Sequence, residues 1–218
     1  MRPEHYSRDI AQRCGSLVRH LLPLVQKGLL DDAKYGGVLD TTFLLAMATP
    51  MVVIPIERLY NPEINSAQVA DDREIDEVLS KRLRAFFGDD KKFADAPFGV
   101  SGWSYVACYP RIFNLADGCP DDLLQALASD EAVACAKATP ASVILRVLRN
   151  ALAHGGVVYL DKDGRATEGP AAMYGFVSTE RNRRREVIGL NVLRIRQADF
   201  CVFLTAWTDW LTSSSIST

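Results

Sequence analysis

The 218-residue sequence predicts a mainly α-helical bundle with a small antiparallel β insertion before the C-terminal helix. Three observations carry that expectation. Apolar residues recur at helical spacing in successive segments from Ser7 to His154, the period shortens toward two between about residues 157 and 193, and helical spacing returns from Gln197 to Leu211. No internal repeat, low-complexity stretch or linker composition divides the chain, so residues 1–218 are read as one domain.

The first helix is expected from Pro3 or Ser7 to about Lys27, with Ile10, Cys14, Leu17, Val18, Leu21, Leu22 and Val25 as its apolar stripe. Pro23 can kink it because proline lacks the backbone donor, and Gly28 can stop it. A loop follows from Asp31 to Gly37. Asp40, Thr41 or Thr42 can cap the second helix, which is apolar nearly all round from Phe43 to Ile56 and therefore belongs at the centre. Its apolar run contains Pro50 and Pro55 and is shorter than the ~20 residues a membrane helix needs. Asn61 to Ala70 reads as a polar connection. Asp72 to Phe87 reads as an exposed amphipathic helix around Ile75, Val78, Leu79, Leu83 and Phe86. Pro97, Gly99 and Gly102 mark a loop from Phe93 to Gly102, and Trp103 to Ala116 reads as helix bent at Tyr109-Pro110. Cys119-Pro120-Asp121-Asp122 opens a further helix carrying Leu123, Leu124, Leu127, Val133 and Cys135.

The run from Ala141 to His154 is the most informative. At about 100° per residue, Ile144, Val147, Leu148, Ala151 and Leu152 fall on one apolar side. Arg146, Arg149, Asn150, Ala153 and His154 fall on the other, stacked along one stripe. Thr139 is expected as the N-cap with Pro140 in the first position, and Gly155-Gly156 as the left-handed stop. Beyond it, Val157 to Leu160, Ala172 to Ser178 and Val187 to Val192 read as short strands, and the final helix turns Phe200, Cys201, Phe203, Leu204, Trp207 and Trp210 to the core.

Composition bounds the function. Hydrophobic residues at 48% and charged residues at 24% describe an ordinary soluble globular chain, and a net charge of −2 means that any nucleic-acid site must be a local patch. Five cysteines without a C-x-x-C pair fit a reduced cytoplasm, and the N-terminus leads into no apolar segment of signal-peptide type. Phosphate-loop, H-E-x-x-H, G-x-S-x-G and dinucleotide motifs are missing, and three scattered histidines give no zinc pattern, so neither metal nor cofactor is expected. His20 lies among Val18, Leu21 and Leu22 as an edge histidine, and His5 is terminal. Trp103, Trp207 and Trp210 read as core or interface anchors.

The polar stripe admits a plain reading, in which His154 meets the helix C-terminal dipole and Arg149 and Asn150 are simply solvated. It also admits a chemical one. RNA cleavage without a metal needs a group that takes the 2′-hydroxyl proton, donors for the negative phosphorane, and an acid for the leaving 5′-oxygen. Histidine titrates near ~6.5 and suits the proton steps, while arginine offers a permanent planar fork to phosphate oxygens. His154 and Arg149 supply these groups, Arg146 is a second phosphate contact, and Asn150, one turn before His154, can orient its imidazole. The basic run Arg181, Arg183, Arg184 and Arg185 around Asn182 is either a solvated turn or an RNA-backbone contact.

Arg149-Asn150-x-x-x-His154 resembles the R-N-x-x-x-H signature of the HEPN superfamily, and Leu39 to Leu45 followed by Val53 to Glu57 resembles the long second helix of a bacterial subgroup of it. The resemblance implies an α-helical fold, a metal-independent endoribonuclease with Arg149 and His154 as the catalytic pair, and a homodimer whose two motifs share one cleft. It also implies defence or toxin-like RNA targeting and a possible regulatory protein partner. The alternative is a non-catalytic module that binds RNA, a nucleotide or a protein. Some toxins of that superfamily carry a tyrosine two residues after the histidine, where this chain has Gly156.

Overall fold

The central helix α2 (Asp40–Leu59) is built from the apolar run that contains Pro50 and Pro55, and it passes through both prolines without breaking. Pro55 has no N–H to give the carbonyl one turn earlier, that of Met51. The indole Nε1 of the fully buried Trp207 donates to that carbonyl at 2.8 Å. A defect written into α2 by its sequence thus becomes the anchor for the C-terminal helix α7 (Gln197–Thr212). This geometry comes from a computed structural model that describes residues 6–32, 34, 37–60, 72–73, 76–88 and 90–213. The expected positions of His5, Ile75, the Asn61–Ala70 connection and the end of the tail lie outside the described residues.

Helix α1 (Tyr6–Leu24) includes Pro23 near its end and widens into a π-helical turn, Val25–Leu29, which Gly28 closes at φ 92°. A two-residue hairpin, β1 (Asp31–Asp32) with β2 (Gly37–Val38), leads into α2. Helix α3 (Glu77–Gly88) has the side chain of buried Asp76, just before its first residue, accepting from Leu79 N. Arg82 on α3 donates to Ser213 O at 2.7 Å and Leu211 O at 3.1 Å, meeting carbonyls that α7 leaves open at its end.

The next segment departs from expectation. Ser104–Tyr109, within the stretch read as helix, is strand β3. It pairs antiparallel with β6 (Val187–Arg196), which pairs with β5 (Met173–Arg181), which pairs with β4 (Val157–Leu160). The sheet order is β3-β6-β5-β4. Both faces are covered. Tyr174, Phe176, Leu193 and Ile195 join the large core with the helices, while Val177, Leu190 and Val192 join Leu123 and Leu127 of α4 (Asp121–Ala128) on the other face. The expectation of a mainly α, HEPN-like bundle with a minor insertion at 157–193 is therefore incorrect. The fold is α+β, with a four-stranded sheet as a full layer whose edge strand comes from well before residue 157.

Two smaller corrections concern helix ends. The single helix expected after Pro120 is two, α4 and α5 (Asp130–Ala138), because Ser129 is extended and its Oγ accepts from Ala132 N. Thr139 does not cap the following helix α6 (Ala141–His154); its hydroxyl donates to Cys135 O at 2.7 Å and closes α5, leaving Pro140 at the N-cap of α6.

Candidate functional site

Helix α6 realises the amphipathic pattern in its sequence. Ile144, Val147, Leu148, Ala151 and Leu152 are buried, whereas Arg146 and His154 are exposed and Arg149 and Asn150 half-buried. The two glycines after it have separate tasks. Gly155 takes the left-handed conformation, φ 70°, and ends the helix. Gly156 brings the chain hard against β5: its carbonyl accepts from Val177 N at 2.7 Å, and a Cβ on it would lie 2.2 Å from Val177 O. The end of α6 is thereby fixed to the middle of β5.

That attachment leaves a cleft of about 810 Å³ between the polar stripe of α6, the outer half of β5 and the segment after β3. Arg146, Arg149, Asn150 and His154 line one wall, and Ser178, Thr179, Glu180 and Arg181 of β5 line another. Four residues of the motif helix and one arginine of the basic run, separate in sequence, therefore share one cavity. Arg183, Arg184 and Arg185 do not line it. They are exposed on the β5–β6 turn, where the Asn182 side chain accepts from Arg184 N and Glu186 N. Arg181 donates to Arg185 O at 2.7 Å across the same turn.

Within the cleft, Arg149 is engaged on two sides. One nitrogen forms an ion pair with Glu57 of α2, and another donates to Asn150 Oδ1 at 2.5 Å. Asn150 thus holds Arg149 rather than orienting the imidazole, and among the described residues His154 has no side-chain hydrogen-bond partner. Burial lowers the Arg149 pKa from its ordinary value. Glu180 is held by Asn191, whose Nδ2 donates to Glu180 Oε2 at 2.5 Å while its Oδ1 accepts from the Tyr105 hydroxyl at 2.9 Å.

Sequence reasoning met Glu57 only as the end of the segment that resembles a family helix, and did not identify Glu180, Ile112 or Phe113 as cleft residues. Glu57 carried a signal, an acid in the last turn of an otherwise apolar helix, but nothing local names its partner. His20 is exposed on α1, with Nδ1 2.7 Å from Ser16 O, away from the cleft lining. Among the described residues no three His, Cys, Asp or Glu side chains gather as a metal site would require. Compared with protein-family models, curated proteins and solved structures, the chain matches none.

Proposed function

We propose that the chain is an endoribonuclease that cleaves RNA phosphodiesters without a metal, with its reaction centre in the cleft beside α6. The observation that supports this reading most is the gathering of His154, Arg149, Arg146 and Arg181 on one cavity in a chain whose net charge is −2. Three arginines against Glu180 on the same lining favour phosphate at that cavity over the rest of a slightly acidic surface.

In this mechanism the 2′-hydroxyl attacks the adjacent phosphorus as the His154 imidazole takes its proton. Charge on the phosphorane oxygens is met by Arg149 and Arg146, guanidinium groups one turn apart on the same helix. The P–O5′ bond then breaks, and the leaving oxygen takes a proton from an imidazolium. The products are a 2′,3′-cyclic phosphate and a free 5′-hydroxyl. One histidine lines the cleft, so a second copy of the chain contributes the second imidazole, which makes the active species a homodimer. Exposure of His154 at the end of α6 leaves it accessible to that second copy.

The Glu57–Arg149 ion pair favours one competing reading, a module that binds RNA, a nucleotide or a protein without turnover, because Arg149 already has an acidic partner. The two separate by product analysis. The ribonuclease converts RNA in EDTA to fragments with cyclic-phosphate ends, visible by mass spectrometry, and sediments as a dimer. A binding module retains intact RNA, and that outcome would overturn the catalytic reading.

A further inference from the structure

Besides the basic stripe, the cleft has an apolar wall. Ile112, Phe113 and Leu115 line it from the segment after β3, together with Leu190 from β6. Ile112 is 65% exposed, more than any other large apolar side chain among the described residues. A solitary exposed isoleucine is ordinary. An exposed isoleucine beside a half-buried phenylalanine, on the same cavity as Arg146 and Arg149, gives one lining with an apolar part and a cationic part.

Ile112 and Phe113 are also held in place although they lie in no regular secondary structure. The Tyr109 hydroxyl lies 3.1 Å from each Asp122 carboxylate oxygen, and Arg111 Nε donates to Tyr109 Oη at 2.8 Å. Arg111 pairs with Asp122 as well, and its guanidinium stands 5.6 Å from the centre of the Tyr109 ring. Phe113 meets that same ring edge-on, with centroids 6.2 Å apart. On the far side, Asn114 Oδ1 accepts from Ala116 N at 3.1 Å. Ile112 and Phe113 are therefore clamped at both ends, so that a ligand packing on them has little ordering left to impose.

Such a lining fits a ligand that is anionic in one part and flat and apolar in another. Inorganic phosphate would leave the apolar wall unused, and an apolar peptide would desolvate guanidinium groups without compensation. An unpaired nucleotide uses both, since its phosphate takes charge-assisted hydrogen bonds and its base packs on an aromatic face. At about 810 Å³ the cleft falls among cavities of ~300–1,000 Å³ that hold ligands of this size.

We propose that Ile112 and Phe113 form a base-holding subsite, on which an unpaired nucleobase of the bound RNA packs while its phosphate meets Arg146 and Arg149. This rests on RNA being the ligand of the cleft. It does not require that RNA be cleaved.

The test uses the full chain carrying His154→Ala, so that turnover does not consume the probe, and fluorescence anisotropy with three labelled ligands of equal length: an oligoadenylate, an abasic ribose-phosphate oligomer, and an RNA duplex. Adding Phe113→Ala should weaken oligoadenylate binding by about tenfold, the order expected for one lost base–aromatic contact, and change abasic binding by less than about twofold. Phe113→Trp should restore oligoadenylate binding. Equal loss on both single-stranded ligands means a structural effect and overturns the subsite, as does no loss on either. Duplex binding as tight as oligoadenylate binding overturns it too. If Phe113 governs base-dependent binding while the unsubstituted chain leaves RNA intact in EDTA, the subsite stands and the catalytic reading falls. If the chain cleaves RNA and Phe113→Ala changes nothing, the reverse holds. Failure of all three ligands to bind removes both.

Discussion

Replacing Gly156 with alanine should damage the chain far more than replacing its neighbour Gly155, although the sequence presents them as one pair. At Gly155 a new Cβ meets open space, and the penalty is the left-handed backbone alone, φ 70°, about 1–2 kcal/mol for a non-glycine residue. At Gly156 the Cβ would stand 2.2 Å from Val177 O, 3.3 Å from Val177 C and 3.4 Å from Ala151 Cα. The first contact falls more than 1 Å inside an ordinary carbon–oxygen approach, and its partner is backbone, which cannot rotate aside. β5 must move away from α6, at the expense of the 2.7 Å hydrogen bond from Val177 N to Gly156 O. Overpacking costs of ~1–3 kcal/mol and a lost backbone hydrogen bond of ~1 kcal/mol together give about 3 kcal/mol. At about 2–4 °C per kcal/mol for a chain of this size, thermal unfolding should fall by roughly 6–12 °C for Gly156→Ala and, at about 1.5 kcal/mol, by roughly 3–6 °C for Gly155→Ala. Urea denaturation of both variants at one temperature supplies the comparison. Equal destabilisation, or a milder effect at Gly156, would refute the claim that this contact fixes the cleft.

Other outcomes follow from named contacts. Burial opposes ionisation of Asp72, but hydrogen bonds from Arg58 and from Ser7, with the Arg58 charge, outweigh it and lower its pKa. Its stabilising contribution is therefore present above the unfolded value of ~3.9 and lost as pH falls through the lower folded value; Asp72→Ala should cost about 3 kcal/mol at pH 7, and the gap between it and the unsubstituted chain should close in acid denaturation below about pH 4. Burial pushes the Cys119 and Cys201 thiols up to about 11, so iodoacetamide at pH 8, followed by peptide mass spectrometry, should modify exposed Cys108 first and these two much later; early labelling of Cys201 would contradict its packing. Glu57→Gln removes the carboxylate that competes with RNA phosphate for Arg149, so it should tighten single-stranded RNA binding in a fluorescence anisotropy titration; unchanged affinity would mean that Arg149 does not exchange Glu57 for phosphate.

What the sequence revealed and what it hid divide along physical lines. The stripes of α6 were legible because periodicity reports which face a helix buries, and Ile144, Val147, Leu148, Ala151 and Leu152 are all buried. The strands β4, β5 and β6 were legible as short apolar runs bounded by turn residues, although β5 and β6 are buried on both faces. Strand β3 was not: Ser104–Tyr109 contains one β-branched residue, and it becomes a strand by pairing Tyr105 with Leu193 and Val106 with Val192, far along the chain. Reading it as helix hid the sheet layer, and with it the apolar wall at Ile112 and Phe113. The motif residues could be placed on one face of one helix, but their surroundings came from tertiary contacts. Glu57 arrives from α2 and Arg181 from β5, and no local pattern relates either of them to Arg149.

The claim that His154 carries the chemistry is tested most directly by single-turnover cleavage of an end-labelled single-stranded RNA in EDTA, comparing the unsubstituted chain with His154→Ala under conditions where circular dichroism shows both folded. General acid–base catalysis contributes on the order of 10²–10⁴ in rate, so the account predicts cyclic-phosphate fragments from the unsubstituted chain and a fall of at least about a hundredfold in the variant. Equal rates in the two proteins, or intact RNA with both, would contradict it.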